Sequence, residues 1–279
     1  MTHPGAERTR QVAALFDAVA GSYDAVGVPF FGPIAASLLQ AVAPRPGERW
    51  LDVGCGRGAV LLQVARAVQP GGTVTGTDLS PGMLERCRRM VEEQGLDGIE
   101  LVLDDAQAPA VGGAPYDALT SSLVLFFLPD PAAALRAWLP LVAPGGRIGV
   151  TTFGEADPRW TAVSDVFTPH LPPQVLDART TGSRGPFASD AGMEDLLRDA
   201  GWADVSTAAG EVEVRFSTPQ QWEAFSMATG QRGMWMAVPE DRRDAVRAEA
   251  YRRVAADADS DGSTTYWQRI RHTLARRPA

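Results

Sequence analysis

Lysine is absent from this chain of 279 residues, so all 26 basic residues are arginines, as coding with GC-rich codons would produce. Acidic residues number 34, and the resulting net charge of -8 gives the protein a field that repels polyphosphate. We therefore expect no binding to DNA or RNA, and an isolated arginine is weak evidence of phosphate recognition.

Cysteine and histidine are also scarce, with two and three residues. Cys55 and Cys87 fit neither a disulfide framework nor a CxxC zinc site, so the sequence predicts no metal and a reducing compartment. The longest apolar run, residues 123–128, is far shorter than the roughly 20 residues of a membrane span. The polar first ten residues lack the apolar stretch of a signal peptide. These absences predict a cytoplasmic protein with no membrane span.

Apolar periodicity predicts two helices, residues 11–23 and 33–42, ahead of a long alternation of strands and helices. The predicted strands are residues 49–53, 73–77, 99–103, 117–122 and 147–152, and the helices between them are residues 59–68, 81–94 and 131–141. Regular alternation of this kind is typical of a parallel sheet covered by helices.

The C-terminal part of the sequence is less regular, because residues 155–186 are rich in proline, glycine and polar residues with scattered aromatics. The elements predicted after it are a helix at 189–200 with Ser189 as N-cap, a strand at 204–216, and helices at 219–229 and 239–258. Residues 264–276 alternate as a strand does, and a helix is left open there. We divide the chain into an N-terminal helical lid (1–44), a core (45–216 and 260–279) and a helical cap (217–259).

Three alternate glycines lie between an apolar strand and a helix in the segment from Asp52 to Ala59. Glycines suit this position because the chain turns sharply with its backbone against a ligand that a Cβ would strike. Gly54, Gly56 and Ala59 also satisfy the looser dinucleotide fingerprint, so a nicotinamide cofactor is an alternative. Asp78 closes the next strand and fits both, since an acidic group there accepts hydrogen bonds from both ribose hydroxyls.

The pattern Asp52-x-Gly54-x-Gly56-x-Gly58 resembles motif I of the class I S-adenosylmethionine-dependent methyltransferases, whose signature includes the acidic residue two before the first glycine. A dinucleotide fold does not need that acidic residue. Residues 77–84, 104–106 and 141–147 resemble, in order and spacing, the ribose and adenine segment, the adenine-edge segment and the turn before the fifth strand of this family. Upstream, the run Phe16-Asp17-x-Val19-Ala20-x-x-Tyr23-Asp24 resembles the N-terminal helix of the UbiE-like branch, which methylates quinone precursors and many small secondary metabolites. The resemblance is close over residues 10–155 and holds in outline beyond them.

The resemblance implies an α/β, Rossmann-like fold with a seven-stranded, mostly parallel sheet, helices on both faces, an N-terminal helical lid and a helical cap near the C-terminus. It implies S-adenosylmethionine as the cofactor. Gly54 and Gly56 would line its methionine moiety, with Gly58 in the same loop. Asp52 would lie near the amino group of that moiety, and Asp78 would hold the ribose.

For the adenine, the resemblance implies a sandwich between Leu79 and Met83 and a hydrogen bond from the exocyclic amine to Asp105, beside Ala106. Asp104 is left open as the alternative to Asp105. Leu79 and Met83 also suit the plain core of the protein.

The remaining cofactor contacts implied by the resemblance lie at the sulfur and at the lid. Residues 121–123, centred on Ser122, would face the methyl-bearing sulfur. Tyr23 would cover the cofactor as part of the lid and help to position the reactants. For Asp78, capping of the helix that begins near Pro81 is the structural alternative, a role that Ser80 also offers.

His170 is the candidate general base, because it is the one histidine away from the termini and lies in the aromatic-rich segment. Together with His170, five large apolar residues are candidates to wall a substrate pocket: Trp160, Phe167, Trp222, Phe225 and Trp235. Ordinary core packing, and a structural or exposed histidine, are the alternatives. The predicted acceptor is a hydrophobic small molecule.

The predicted function is methyl transfer from S-adenosylmethionine to oxygen or carbon of such a molecule, in secondary-metabolite biosynthesis. One alternative is C-methylation of an isoprenoid alkene with coupled rearrangement or cyclisation, in which aromatic rings stabilise a cation. The other is an NAD(P)-dependent oxidoreductase with the same glycine loop. The run Ser121-Ser122-Leu123-Val124 departs from the Asp/Asn-Pro-Pro-Tyr run of amino-methylating enzymes, which again disfavours nucleic acid. The exposed face of the N-terminal helix pair suits either a lid or the subunit contact of a homo-oligomer.

Overall fold

A single sheet of seven strands organises the chain, and the computed structural model describes residues 4–113, 115–171 and 184–279. The strands are β1 Arg49–Val53, β2 Thr73–Asp78, β3 Ile99–Leu103, β4 Tyr116–Ser122, β5 Val142–Ala156, β6 Ala203–Phe216 and β7 Thr264–Arg276. Their order in the sheet is β3-β2-β1-β4-β5-β7-β6. Among the described strands, only β7 runs antiparallel to its neighbours, which are β5 and β6. The predicted seven-stranded, mostly parallel sheet is confirmed.

Helices lie ahead of β1 and between most pairs of successive strands. They are α1 Pro4–Val19, α2 Phe31–Val42, α3 Leu61–Ala67, α4 Pro81–Glu93, α5 Pro131–Trp138, α6 Pro158–Ser164, α7 Asp190–Asp199, α8 Pro219–Met227, α9 Arg232–Ala237 and α10 Glu240–Ala256. Two of them begin at serine N-caps: the Ser80 side chain accepts from the Met83 amide at 3.1 Å, and that of Ser189 accepts from the Gly192 amide at 3.0 Å. Each cap satisfies a backbone donor that the first helical turn leaves free.

The sheet is buried on both faces, as alternate side chains of β1 show. Trp50 packs with apolar residues of α2 and α3, such as Leu38 and Leu61. Leu51 belongs to the cluster on the opposite face, which includes Leu135 of α5. Because helices cover both faces, ligands have access at the carboxyl ends of the parallel strands.

The N-terminal helix differs from its predicted bounds of 11–23. It spans Pro4–Val19 and ends in a tight turn, in which the Ser22 and Tyr23 amides donate to the Val19 carbonyl oxygen at 2.9 and 2.8 Å. Asp24 then adopts a left-handed backbone with φ 50°, which redirects the chain. Tyr23 therefore lies in the turn after the helix.

Strand β5 is longer than the predicted 147–152 at both ends, because the turn before it belongs to the strand as a bulge and Phe153 and Ala156 continue the pairing with β7. The pairing with β4 passes from Tyr116 opposite Val142 to Ala118 opposite Arg147, so three extra residues of β5 project from the ladder. A Cβ at Gly146 would lie 2.8 Å from the Asp117 carbonyl oxygen. Glycine is therefore required where the bulge returns to the neighbouring strand.

The C-terminal part contains more helix than predicted. Helix α6 and a 3-10 helix at Asp165–His170 lie in the segment expected to be irregular, and α9 separates the two predicted cap helices. Residues 264–276 form a strand, so the helical alternative is wrong. The part of the irregular segment at 172–183 lies outside the described residues.

The division into lid, core and cap stays a prediction, although two observations bear on its ends. Helix α2 packs on the sheet through Leu38 and Val42, whereas α1 packs beside α4. The helices α8, α9 and α10 follow one another between β6 and β7. None of the described helices has the length and apolar character needed to cross a membrane.

Candidate cofactor-binding site

The glycine loop after β1 carries three residues with positive φ: Gly54 at 73°, Gly56 at 53° and Gly58 at 95°. A Cβ at Gly54 would lie 2.4 Å from Cγ2 of Val124, and a Cβ at Gly58 would lie 2.9 Å from Cγ of Leu62. At Gly56 no described atom lies within 4 Å of that position. The loop is closely packed at both ends and open at its centre, which is the shape of a backbone cradle for a ligand.

Asp78, the last residue of β2, holds the glycine loop against the start of α4. One carboxylate oxygen accepts from the Gly56 amide at 2.8 Å, and the other accepts from the Ser80 amide at 2.9 Å. Burial raises the pKa of Asp78, while these backbone donors act in the opposite direction. Ser80, and not Asp78, accepts from the Met83 amide as the N-cap of α4, and the role of Asp78 at a ribose stays a prediction.

Asp52 lies beneath the loop and is 1% exposed. Its Oδ1 accepts from Thr120 Oγ1 at 2.9 Å, and Thr120 in turn accepts from the Trp50 indole N–H at 3.1 Å. No hydrogen bond is described for its Oδ2, although the backbone amide of Leu61 is close enough to the carboxyl to act against the rise in its pKa. Burial raises the pKa of Asp52 to about 7. An unpartnered buried acceptor at this place fits a cationic ligand group, which would favour the charged carboxylate.

Two neighbouring cavities surround the loop, with about 760 and 950 Å³ of empty space when their open mouths are included. The first cavity is bordered by Asp78, Leu79, Met83, Asp105 and Ala106. The second is bordered by Asp52 and Gly58. Both share four residues, Tyr23, Gly54, Gly56 and Ser122. The structure therefore brings all eleven sequence-predicted cofactor residues together around two neighbouring cavities.

The two adjacent aspartates after β3 have separate environments. Asp104 accepts from the Asp105 and Ala110 amides with its two oxygens, at 2.8 and 2.7 Å, and so fixes the loop. Asp105 uses one oxygen for the Gln107 amide at 2.9 Å and borders the first cavity. Of the two carboxylates, that of Asp105 is placed to accept a hydrogen bond from a ligand.

Helix α1 forms a wall of the first cavity through Thr9, Val12, Ala13 and Phe16. Arg8 fastens it by donating to the carbonyl oxygens of Phe126 and Phe127 at 3.1 and 3.2 Å. Asp17 fastens the other end by accepting from Ser80 Oγ and the Gly82 amide, at 2.9 and 2.8 Å. These residues are not part of the cofactor site predicted from the sequence, although Val12 and Phe16 are four residues apart and so lie on one face of the helix.

Tyr23 borders both cavities, as its predicted place in the lid requires. Its ring stacks on Phe31 with centroids 4.5 Å apart, and Arg57 donates to its backbone carbonyl oxygen. Burial raises the pKa of the phenol, so it stays protonated near neutral pH. The phenol can therefore donate a hydrogen bond or fill space, and a role as general base does not fit its environment.

The end of β4 has a strained backbone at the point where the two cavities meet. Leu123 adopts φ 61°, which a bulky side chain disfavours, and its amide donates to the Thr151 carbonyl oxygen at 3.0 Å. Strained residues of this kind cluster at functional sites. The strain here turns the chain directly after Ser122, the residue predicted to face the sulfur.

The predicted substrate-pocket aromatics form a closed cluster beyond the cavities. Trp160, Phe167, Trp222, Phe225 and Trp235 are each at most 6% exposed. The rings of Phe167, Trp222 and Trp235 contact one another, with the Phe167 centroid 6.5 Å from that of Trp222 and 4.8 Å from that of Trp235, and the two tryptophans 6.1 Å apart. None of the five borders either of the two described cavities. Their role at a substrate stays a prediction.

The histidines have unequal environments. His170 ends the 3-10 helix Asp165–His170, is half-buried and does not border either described cavity. His272 of β7, which the sequence analysis set aside as terminal, is 1% exposed, and its ring nitrogens lie 3.1 Å from Thr151 Oγ1 and 3.0 Å from Ser37 Oγ. Burial lowers the pKa of His272 to about 4, so it is a neutral bridge between α2, β5 and β7.

No group of three or more His, Cys, Asp or Glu side chains is arranged to hold a metal ion within the described ranges. The site is thus built from a glycine cradle, buried carboxylates on neighbouring strands and a helical cover. On a Rossmann-like sheet of this topology, such a site defines an enzyme that binds a nucleoside-containing cofactor.

Comparisons with known proteins identify the kind of enzyme. The family model of the methyltransferase domain matches residues 51–146. Nocamycin O-methyltransferase from Saccharothrix syringae is 37% identical over 259 residues, which cover 88% of this chain and 91% of that relative. Aklanonic acid methyltransferase from Streptomyces sp. strain C5 is 37% identical over 168 residues, or 60% of this chain and 76% of that relative. The crystal structure of the YcgJ protein from Bacillus subtilis shares the fold with a TM-score of 0.59 at 13% identity, covering 88% of this chain and 98% of that one.

The chain belongs to the methyltransferase family and is a class I S-adenosylmethionine-dependent methyltransferase. The resemblance inferred from the motifs, including its UbiE-like branch, is confirmed.

Proposed function

We propose that this enzyme transfers a methyl group from S-adenosylmethionine to an oxygen or carbon atom of a hydrophobic small molecule in secondary-metabolite biosynthesis. The observation that carries the proposal is the pair of cavities that meet at Gly54, Gly56 and Ser122. The similarity to nocamycin O-methyltransferase supports a secondary-metabolite acceptor and favours oxygen as the methylated atom. It gives no support to the alkene or nicotinamide alternatives.

When bound, S-adenosylmethionine supplies a methyl group already activated by the sulfonium, so the protein mainly has to align the acceptor and exclude water. The residues present fit this cofactor. Asp52 offers an unpartnered carboxylate oxygen for the ammonium group, and the open centre of the loop at Gly56 accommodates the tail. Asp78 is placed for the ribose hydroxyls.

The adenine is proposed to lie in the first cavity, between Leu79 and Met83. The free oxygen of Asp105 then accepts from the exocyclic amine, and Ala106 lies beside the base. Ala106 is held in place because its carbonyl oxygen accepts from the Trp138 indole N–H at 2.8 Å. Ser122 faces the reacting centre, and Tyr23 covers it from the turn after α1.

The cofactor assignment is tested by thermal unfolding with S-adenosylmethionine, S-adenosylhomocysteine and NAD in parallel. A ligand present at about 100 times its dissociation constant stabilises the folded state by roughly 2.7 kcal/mol, which corresponds to about 5–10 °C for a chain of this size. We expect that shift with S-adenosylhomocysteine and none with NAD. A shift with NAD alone would make Asp78 a dinucleotide ribose ligand and overturn the proposal.

His170 is proposed as the general base if the acceptor is a phenol or alcohol. His170→Ala should then lower turnover on the acceptor by about 100-fold or more and leave the affinity for S-adenosylhomocysteine unchanged, because the histidine does not border the cofactor cavities. Steady-state kinetics and calorimetry measure the two quantities. Wild-type turnover in the variant would remove His170 from the mechanism.

Substrate-pocket roles belong to the same proposal for five residues, Trp160, Phe167, Trp222, Phe225 and Trp235. Phe30 connects their cluster to the sheet, because its ring centroid lies 5.4 Å from that of Phe225 and 6.3 Å from that of Phe153 in β5. We also propose a cytoplasmic location, which the two free, buried cysteines support. Self-association through the N-terminal helices is a further expectation that light scattering tests.

A further inference from the structure

Two residues that border the second cavity each have a buried polar atom without a hydrogen-bond partner, and the two atoms are of opposite character. Asp52 Oδ2 is a buried acceptor without a donor, and Arg57 Nε is a buried donor without an acceptor. A buried polar atom without a hydrogen bond costs free energy, so each such atom in a folded protein calls for an explanation. A ligand that carries both a cation and an anion into this cavity would satisfy both atoms.

Of the cationic side chains that border this cavity, that of Arg57 makes the fewest hydrogen bonds. The chain has no lysine, and the cavity is bordered by two arginines, Arg57 and Arg66. Arg66 donates to the Leu62 carbonyl oxygen at 3.1 Å and to the Gln94 side chain. The one hydrogen bond described for the Arg57 guanidinium is to the backbone carbonyl of Tyr23.

Asp24 is the acidic neighbour that competes for Arg57. The charge of Arg57 acts to lower the pKa of Asp24, but burial acts more strongly and raises it. No ion pair joins these two residues among those described in this part of the chain. The guanidinium therefore remains free to pair with a carboxylate that enters the cavity.

We propose that Arg57 binds the carboxylate of the methionine tail of S-adenosylmethionine, while Asp52 binds its ammonium group. This inference rests on the proposed function and adds a residue that the motif does not assign. Arg57 lies between Gly56 and Gly58, so its side chain leaves the loop along which the tail is placed. A guanidinium and a carboxylate form strong, charge-assisted hydrogen bonds. The same guanidinium holds the Tyr23 carbonyl, so tail binding and the position of the lid turn depend on one side chain.

Three ligands test the proposal on the wild-type protein and on Arg57→Met by calorimetry. S-adenosylhomocysteine has the complete tail, its decarboxylated analogue lacks only the carboxylate, and 5′-methylthioadenosine lacks the whole amino-acid end. We expect Arg57→Met to weaken S-adenosylhomocysteine binding about tenfold or more beyond any loss for the other two ligands, which share the lid turn at Tyr23 but lack the carboxylate. Wild-type protein should bind the decarboxylated analogue about as weakly as the variant binds S-adenosylhomocysteine.

Arg88→Met is the matched control, because Arg88 lies on α4, pairs with Glu85 at 2.9 Å and borders neither described cavity. It should leave all three affinities unchanged, and Arg57→Lys should restore part of the lost affinity. Equal weakening of 5′-methylthioadenosine by Arg57→Met, or no weakening of S-adenosylhomocysteine, would overturn the carboxylate role while the methyltransferase assignment stands. If wild-type protein binds NAD and none of the three ligands, both the inference and the proposed function fail.

Discussion

Asp52→Asn should stabilise the ligand-free protein at neutral and alkaline pH and weaken its binding of S-adenosylhomocysteine about tenfold or more. The wild-type carboxyl is buried, and its pKa is raised to about 7 from an ordinary value near 4. Ionisation of Asp52 in the folded protein therefore costs on the order of 4 kcal/mol at pH 8. Asparagine avoids that cost but cannot pair with the ammonium group.

The sign of the pH dependence follows from proton counting. Between about pH 4 and pH 7 the folded protein retains a proton on Asp52 that the unfolded chain has lost, so the contribution of Asp52 to stability falls as pH rises through this window. Above the pKa of Asp52 in the folded protein, this contribution to stability is constant. Urea unfolding of wild-type and variant protein should give a stability difference that grows in favour of the variant up to about pH 7 and then levels off. A difference independent of pH would show that Asp52 titrates normally.

The expected loss of affinity for S-adenosylhomocysteine in Asp52→Asn needs a separate control, because the amide side chain also changes the packing beneath the glycine loop. 5′-Methylthioadenosine, which lacks the ammonium group, should bind Asp52→Asn and wild-type protein equally. Asp97→Asn makes the same change of charge on an exposed loop and should alter neither stability nor affinity. If Asp52→Asn weakens the binding of S-adenosylhomocysteine and of 5′-methylthioadenosine by the same factor, the loss of affinity comes from a change in the loop backbone and not from the lost contact with the ammonium group.

Most of the sheet could be predicted because its signals are local. Alternating apolar runs identify the strands, and serines such as Ser80 and Ser189 satisfy free amides at helix starts wherever the rest of the chain lies. The bulge in β5 could not be predicted, because it depends on the approach of Gly146 to a carbonyl of β4. The early end of α1 likewise depends on a turn that brings Tyr23 to the cavities.

The site was predictable where the motif itself makes the contacts, as at Gly56 and Asp78. A helical lid over the site was predicted, but the contacts that hold it were not, since Arg8 donates to carbonyl oxygens that are 118 and 119 residues away in sequence. From the sequence alone, a large aromatic residue such as Phe167 fits a substrate pocket and a buried core equally well. Only its burial in the folded chain distinguishes the two positions. His272 lies near the C-terminus, but β7 enters the sheet between β5 and β6 and so buries it.

Asp78→Ala should weaken S-adenosylhomocysteine binding by about 1–3 kcal/mol, the cost of leaving buried polar partners without a hydrogen bond. The carboxylate already accepts from the Gly56 and Ser80 amides, and its remaining lone pairs are proposed to accept from the ribose hydroxyls. Asp78→Asn keeps one acceptor oxygen and should fall between wild type and alanine. Calorimetry gives the three affinities, and Asp97→Ala controls for the lost charge.

Asp78→Ala removes two contacts of the carboxylate, the one with the Gly56 amide and the one proposed with the ribose. A 2′-deoxy analogue of S-adenosylhomocysteine distinguishes between their effects on affinity. If Asp78 accepts from the ribose, the analogue binds wild-type protein more weakly than the parent ligand, and that difference shrinks in Asp78→Ala because the partner is gone. If Asp78 acts only by holding the Gly56 amide, the variant weakens both ligands by the same factor. Unchanged affinity of Asp78→Ala for S-adenosylhomocysteine would refute both roles and leave the glycine loop stable without its carboxylate.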